Sequence, residues 1–313
     1  MSAAAAMLVA LAVDAVSGWP AAIYARIGHP VTWIGAMIGA LDRSWNRSAA
    51  SDLARRIAGT LAATTVIGAS AGLAWLATTL LPDGWVGVVL TGVLAWPLLA
   101  VRSMHDHVVE VADPLAAGDL GAARLAVSMI VGRDPSLLGP PEVARAALES
   151  LAENTSDGII APLFWGVLLG LPGIAGYKAV NTLDSMIGHR TPRHEAFGWA
   201  AARIDDVANL IPARATGLLF AIVSGRLAPA ISTMLRDAHR HRSPNAGWPE
   251  AAMAGALGVR LSGPRAYAGR VSDEPWLNGA APDPGHADIV RGLVIYRRAM
   301  AAAAFFLLAL AMV

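Results

Sequence analysis

Three polar stretches in the middle of the chain gather the side chains suited to metal and phosphate chemistry. In ESLAENTSDG (149–158), Glu149, Glu153 and Asp157 recur at i, i+4 and i+8, which on a helix puts three carboxylates on one face, with Asn154, Thr155 and Ser156 crowding the same end. YKAVNTLDSMIGHR (177–190) carries Lys178, Asn181 and Asp184, and Lys178 is the single lysine among 24 basic residues, all the others being arginine. RIDDVANLIPAR (203–214) presents Asp205 and Asp206 with Asn209 one turn further on. Grouped carboxylates repel one another and call for a compensating cation. An oxygen-rich set without thiols suits Mg²⁺, which is usually held by one or two carboxylates together with substrate phosphates. Lysine serves phosphate as a compact point charge and, unlike arginine, can lose its proton when buried.

Each cluster has an ordinary alternative: a solvated helix face for 149–157, or a charge pair at a helix N-terminus for Asp205 and Asp206. Their coincidence within residues 149–209, beside apolar segments, favours a Mg²⁺–phosphate site. No nucleotide-binding fingerprint contributes, because GLPGIAGYK has the wrong glycine–lysine spacing for a P-loop and no strand precedes it. His239 and His241, flanked by Arg236, Arg240 and Arg242, read as a basic patch for an anion or a lipid headgroup.

The elements that must position these residues are membrane helices. With 55% hydrophobic and 15% charged residues and a mean hydropathy of +0.51, the chain does not describe a soluble surface. A formal charge of +1 argues against nucleic acid, and the lack of cysteine excludes thiolate metal sites and disulfides. The fold class expected is all-α, a polytopic helical membrane protein with broken or re-entrant helices around a cytoplasm-facing polar site. Residues 57–81 and 85–101 read as a transmembrane hairpin about the turn Pro82-Asp83-Gly84, and residues 1–23 as one retained helix with Asp14 turned into the bundle. Residues 158–177, interrupted by Pro162, Pro172 and glycines, read as a broken or re-entrant helix, with 210–225 marginal. Arginines on both sides of the hairpin and none in its turn place that turn away from the cytoplasm. The organisation expected is a bundle over 1–225 with polar motif loops at 102–157 and 178–209, a Gly/Pro/Trp-rich surface segment or lid over 226–296, and a membrane helix over 297–313.

ESLAENTSDGIIAPLFW, YKAVNTLDSMIGHR, FGWAAARIDDVANLIPAR and HRSPNAGWPEAAMAGALGV, with DAVSGWPAAIYARIGHPVTWIG near the N-terminus and VGRD at 131–134, resemble the CobD/CbiB family, the membrane-bound adenosylcobinamide-phosphate synthases of cobalamin biosynthesis. The resemblance covers nearly the whole chain and departs at His189, where tyrosine is more usual. It implies a multi-pass protein of the cytoplasmic membrane that joins (R)-1-amino-2-propanol, as its O-phosphate or as the free alcohol, to a propionate of adenosylcobyric acid. An amide forms, with ATP as co-substrate and Mg²⁺ as cofactor. Implied partners are that corrinoid, the amino alcohol, the lipid bilayer and other membrane-associated cobalamin-assembly enzymes.

On that footing Lys178, Asp184 and Glu153 are the catalytic candidates, and Asp157, Asp184, Asp205 and Asp206 the Mg²⁺ ligands. Asn154, Ser156, Asn181, Arg190, Arg203, Asn209 and Asn245 are expected to bind substrate, with 239–260 covering the corrin. Two other readings compete: a Mg²⁺-dependent prenyl- or CDP-alcohol-type transferase, and a small-molecule transporter, against which the lack of inverted repeats counts.

Overall fold

Inside a bilayer a helix satisfies every backbone N–H and C=O from its own chain, so an apolar sequence of this length is expected to be helical wherever it crosses. The computed structural model describes residues 2–132, 134–267, 270–272 and 274–313. Arg133 of the VGRD stretch lies outside them. The chain runs through α1 (Ala3–Ser17), α2 (Ala21–Ile27), α3 (Pro30–Trp45), α4 (Asp52–Thr79), α5 (Trp85–Ala95), α6 (Val101–Ala116) and α7 (Leu120–Ser128). It continues with α8 (Pro140–Thr155), α9 (Ala161–Leu183), α10 (Trp199–Ala208), α11 (Leu210–Val223), α12 (Leu227–Asp237), α13 (Gly247–Leu257) and α14 (His286–Ala311). Between α13 and α14 lie two small antiparallel ladders, β1 (Leu261–Ser262) with β4 (Trp276–Leu277), and β2 (Arg265–Tyr267) with β3 (Arg270–Ser272).

Four stretches are long and apolar enough to cross a membrane: Asp52–Thr79, Trp85–Ala116, Pro140–Gly188 and His286–Ala311; the number rises to six if each of two bent helix pairs is one span. The expected all-α polytopic fold is therefore present. The C-terminal helix begins at His286, well before the expected residue 297. Two compact units are interleaved in the sequence, one built from Met1–Ala100, Ala161–Asn209 and Phe306–Val313, the other from Val101–Ile160 and Leu210–Phe305.

In the first unit, the helix expected over 1–23 stops at Ser17 and the chain bends by 108° into the pair α2–α3. Gly18 (φ 53°) makes the corner and Pro20, which has no N–H to donate, cannot continue α1. Three indole N–H groups satisfy carbonyls around the bend: Trp96 to Gly18 (2.9 Å), Trp19 to Gly28 (3.2 Å) and Trp33 to Ile27 (2.9 Å). Asp14 is buried, as expected. Both arms of the expected hairpin are long and apolar enough to cross a membrane, and each packs chiefly on other helices. α5 lies against α1, where a Cβ on Gly92 would fall 2.7 Å from the Ala6 carbonyl oxygen, while α4 packs along α9 and α3 around Ile38, Ala62, Val66, Leu183 and Phe197.

The broken helix expected over 158–177 is α9. At Gly170 the backbone takes φ 67°, ψ −152°, two residues before Pro172. Residues eight apart in an unbroken helix are separated by about 12 Å along the axis. Here a Cβ on Gly173 would lie 2.2 Å from the Trp165 carbonyl oxygen, so the two halves turn sharply on one another.

In the second unit, α13 is buried along its length and packs on α11 and α12. The segment expected as a surface lid thus supplies the core helix of this unit. Glu149, expected on an open carboxylate face, is 6% exposed and accepts the Ser262 N–H at 2.6 Å, tying β1 to α8. Arg145 and Arg260 lie over the Trp276 ring at 4.7 and 4.2 Å, and Arg260 forms two hydrogen bonds with Asp283 (2.8 and 2.6 Å). The basic run at 236–242 is not an open patch. Arg236 and Arg240 pair with Asp237 (2.8 and 3.5 Å), Arg242 with Glu274 (3.6 Å), and buried His241 faces Glu250 (3.8 Å). Two of those acids are distant in sequence, so the run alone could not reveal them.

Hydrogen bonding from Arg260 holds the Asp283 carboxyl below the usual carboxylate range; partial burial opposes this, and the charges of Arg260 and Arg145 reinforce it. A depressed carboxyl stabilises the fold fully above its unfolded pKa of about 3.9, and that contribution is lost as pH falls through the lower folded value. Protection against hydrogen exchange, taken relative to the intrinsic rate at each pH, should therefore fall across 260–283 below about pH 4. Asp283→Asn should show fast exchange already at neutral pH, and a variant indistinguishable from wild type would contradict this role.

Candidate functional site

Both apolar–polar boundaries flanking α9 depart from α-helical winding. Ser156–Ile160 and Asp184–Gly188 are π turns, and they fall within the first two polar stretches. Such turns insert a residue into a helix and occur often at functional sites. In the first, Asp157 lies inside the π turn, while Glu149 and Glu153 precede it on α8. In the second, the Asp184 carboxylate folds back over Gly188, where a Cβ would stand 1.9 Å from Asp184 Oδ1.

The first unit assembles the main cluster. After the second π turn, residues 189–198 cross to α10 and are held from beneath by close backbone contacts. A Cβ on Gly198 would meet the Ile187 carbonyl oxygen at 1.6 Å, and one on Gly59 of α4 would meet that of Phe197 at 1.8 Å. A polar clamp holds the same segment from the side. Asn46 Nδ2 donates to the Arg193 carbonyl (2.9 Å) and to Asp42 Oδ1 (2.8 Å), Arg55 donates to Asn46 Oδ1 (2.9 Å) and to the Arg193 carbonyl, and Arg193 binds Asp42 Oδ2 (2.7 Å).

The segment so fixed walls a cleft of about 340 Å³ lined by Arg56, Gly188, Arg190, Glu195, Trp199, Ala202 and Arg203. That volume lies in the range of small-molecule sites, about 300–1,000 Å³. Arg56 lies 5.8 Å from the centre of the Trp199 ring, and Arg203 reaches Asp206 at 3.0 Å. Asp184 is within electrostatic reach of Asp206, Arg203 and His189. Three guanidiniums thus line the cleft, with Asp184 and Asp206 beside it.

The expected residues divide as follows. Arg190 and Arg203 line the cleft, with Asp184 and Asp206 beside it. Asp205 and Asp206, adjacent in sequence, point apart: Asp205 accepts from Asn209 Nδ2 (3.0 Å), whose Oδ1 takes the Tyr177 hydroxyl (2.8 Å), so Asn209 is buried as a structural link. Lys178 does not line the cleft; its charge acts on His29, the residue capping α3 through Nδ1. Asn181 lies one turn on, its carbonyl taking the Ser185 hydroxyl (2.8 Å).

Glu153, Asn154, Ser156, Asp157 and Asn245 belong to the second unit. Asn154 donates to the Ser150 carbonyl (2.9 Å), Glu153 is exposed, and the Ser156 hydroxyl is buried without a hydrogen-bond partner among the described residues. Asn245 is buried at the entry to α13. Among the described residues no three His, Asp or Glu side chains are grouped to hold a metal unaided. Asp184 and Asp206 suit Mg²⁺ only in the manner in which it is commonly bound, by one or two carboxylates and substrate phosphate.

Arg56, Glu195 and Trp199 went unrecognised in the sequence. Arg56, at the start of an apolar helix, carries only a loop-charge signal, and Glu195 sits in the linker between the two motifs. If the clamp fixes the loop, trypsin should cut slowly after Arg193, whose carbonyl it holds. Asp42→Ala should speed that cleavage by about tenfold or more through local opening; an unchanged rate would show that the glycine contacts suffice.

The family model for "CobD/Cbib protein" matches residues 7–296. A protein of Rhodobacter capsulatus named Cobalamin biosynthesis protein CobD is 66% identical over 96% of this chain and 95% of its own length. Proteins of the same name from a Sinorhizobium species (47% identical, 98% of each chain) and Geobacter metallireducens (45% identical, 93% of this chain and 91% of that one) are also similar. No solved structure matches.

Proposed function

The chain belongs to the CobD/CbiB family of cobalamin biosynthesis, and on that footing we propose that it forms the amide between a corrin propionate of adenosylcobyric acid and an aminopropanol, at the expense of ATP. The observation that carries this reading is the arginine-lined cleft with Asp184 and Asp206 at its edge, which is suited to phosphate chemistry. A carboxylate does not react with an amine unaided. Transfer of the γ-phosphoryl group to the propionate oxygen breaks the terminal phosphoanhydride and gives an acyl phosphate and ADP. Attack by the neutral amine then forms the C–N bond, expels phosphate, and leaves one proton for a base.

Such chemistry is mostly positioning and charge stabilisation. Arg190 and Arg203 hold phosphate oxygens. Lys178 supplies a further positive charge, and its compact ammonium can also give up its proton. Asp184 and Asp206 are the residues that would hold Mg²⁺, which would supply charge neutralisation at the phosphate. Asn181 orients polar substrate groups from the helix face it shares with Lys178. The motifs lie on the cytoplasmic side of the inner membrane, where ATP is found, with the 82–84 turn on the opposite side.

The direct test is a membrane extract given adenosylcobyric acid, aminopropanol O-phosphate, ATP and Mg²⁺, with the product identified by mass. An ATP-dependent cobinamide product is expected, and none with intact membranes would defeat the reading. Lys178→Arg keeps the charge but changes its shape and should lower activity by about tenfold or more; a fully active variant would remove the need for lysine. Asp184→Asn should shift the Mg²⁺ titration to higher concentration, whereas a superimposable curve would end its assignment as a ligand.

A further inference from the structure

Two stretches of the second unit carry arginines and no acidic residue: 210–236, with Arg214, Arg226 and Arg236, and 289–305, with Arg291, Arg297 and Arg298. Three of the six have internal partners, since Arg214 lies over the Trp248 ring (4.3 Å), Arg236 pairs with Asp237 and Arg291 with Asp288. Arg226, Arg297 and Arg298 are exposed, and among the described residues none has a carboxylate within 4.0 Å. Two of them are tethered by a single bond to a carbonyl at a helix end: Arg298 Nη1 donates to Val223, the last residue of α11 (3.4 Å), and Arg226 Nη1 to Ala256 of α13 (3.3 Å). Each tether uses one of a guanidinium's five N–H groups. The backbone N–H of Arg226 donates to the Ser224 hydroxyl (3.0 Å) across Gly225 (φ 73°), which fixes the corner between α11 and α12.

That corner lies at an apolar–polar boundary. Residues 215–225 carry no charge and present Leu218 and Ile222 outward, and α14, long and apolar enough to cross a membrane, is uncharged from Ala299 onward. The Arg298–Val223 bond brings the two boundaries to one level. α12 leaves the corner with exposed Leu227 and Leu235 on either side of half-exposed Ile231, at i, i+4 and i+8, as expected of a helix lying in a membrane interface. On α14, Phe305 is 74% exposed two turns beyond Arg298 on the same face, roughly 10 Å along the axis, with Ala301 and Ala302 between them.

We propose that Arg226, Arg297 and Arg298 form a binding site for an anionic phospholipid, the guanidiniums taking the phosphodiester and an acyl chain lying on the alanine face of α14 that ends at Phe305. The planar guanidinium fork matches phosphate oxygens, and basic pockets beside membrane helices hold acidic headgroups. A zwitterionic lipid offers the same phosphate but brings a quaternary ammonium to a place with no carboxylate to receive it, so charge selects the acidic headgroup. A soluble phosphate ester would meet the arginines and forgo the apolar contact. The site belongs to the second unit and is independent of the amide-forming reading.

The test is native mass spectrometry of the full-length detergent-solubilised protein after incubation with equal amounts of phosphatidylglycerol and phosphatidylcholine of the same chain length. Phosphatidylglycerol should be retained about tenfold or more over phosphatidylcholine. Arg297→Gln, which breaks no contact among the described residues, should lower that ratio severalfold, and the double variant Arg297→Gln, Arg298→Gln should bring it close to one. Arg291→Gln, whose guanidinium Asp288 already holds, should leave it unchanged. Equal retention of the two lipids by the wild-type protein, or a preference that survives the double variant, overturns the proposal. So does displacement of phosphatidylglycerol by glycerol phosphate at matching concentration, which would make the corner a site for a soluble phosphate ester. A photoreactive side chain placed at position 227 should form lipid adducts in intact membranes; adducts to another protein in their place would make the corner a protein interface and end the lipid assignment.

Discussion

Every backbone polar group within an apolar segment must find its partner inside the protein, and this constraint shapes the places where the chain stops being a plain α-helix. At the N-terminal bend three indoles supply the missing donors. At Gly170 the chain departs from helical dihedrals next to a proline and folds back where a glycine lets backbone touch backbone. At Ser156–Ile160 and Asp184–Gly188 the ladder is kept but widened by one residue, so the chain gains an irregularity while remaining internally hydrogen-bonded. The polar chemistry gathers at these widened turns.

Charge follows a second rule. In the second unit five arginines have acidic or aromatic partners: Asp283 and Trp276 for Arg145 and Arg260, Asp237 for Arg236 and Arg240, Glu274 for Arg242. Most of these pairs are half-exposed and add little stability each, but they leave that surface near neutral. In the first unit Arg193 is likewise matched by Asp42, whereas among the described residues Arg56 and Arg190 have no carboxylate within ion-pair distance. Three guanidiniums gathered beside an immobilised loop mark the cleft.

How much of this was legible in the sequence follows from the kind of signal each feature leaves. The long helices α4 and α14 and the interruption of α9 register as apolar length, glycine and proline, and those are local properties. Pairing is not local: α5 seeks α1 through a small-residue contact at Gly92 and leaves its sequence neighbour α4 to α9. Glu149 has the spacing of a solvated stripe, and only the strand brought against it from residue 262 makes it a buried acceptor. The π turns leave no compositional trace, since they differ from α-helix only in which carbonyl each N–H chooses. Arg190, Arg203, Asp184 and Asp206 could be named because their chemistry is written in motifs. Arg56 and Glu195 could not, because each acquires its meaning only as part of the cleft wall.

The widened turn at Asp184–Gly188 carries one more consequence. An α-helix advances about 100° per residue, so one inserted residue rotates everything that follows by that angle relative to an unbroken helix. Removing a single residue between Ser185 and Ile187 would let α9 wind on regularly, yet it would swing His189 and Arg190 about a quarter of a turn around the axis. Residues 189–198 would then meet α4 and α3 with the wrong side, with no side chain of the cleft itself altered. At this place the chain is more exacting about its length than about its letters.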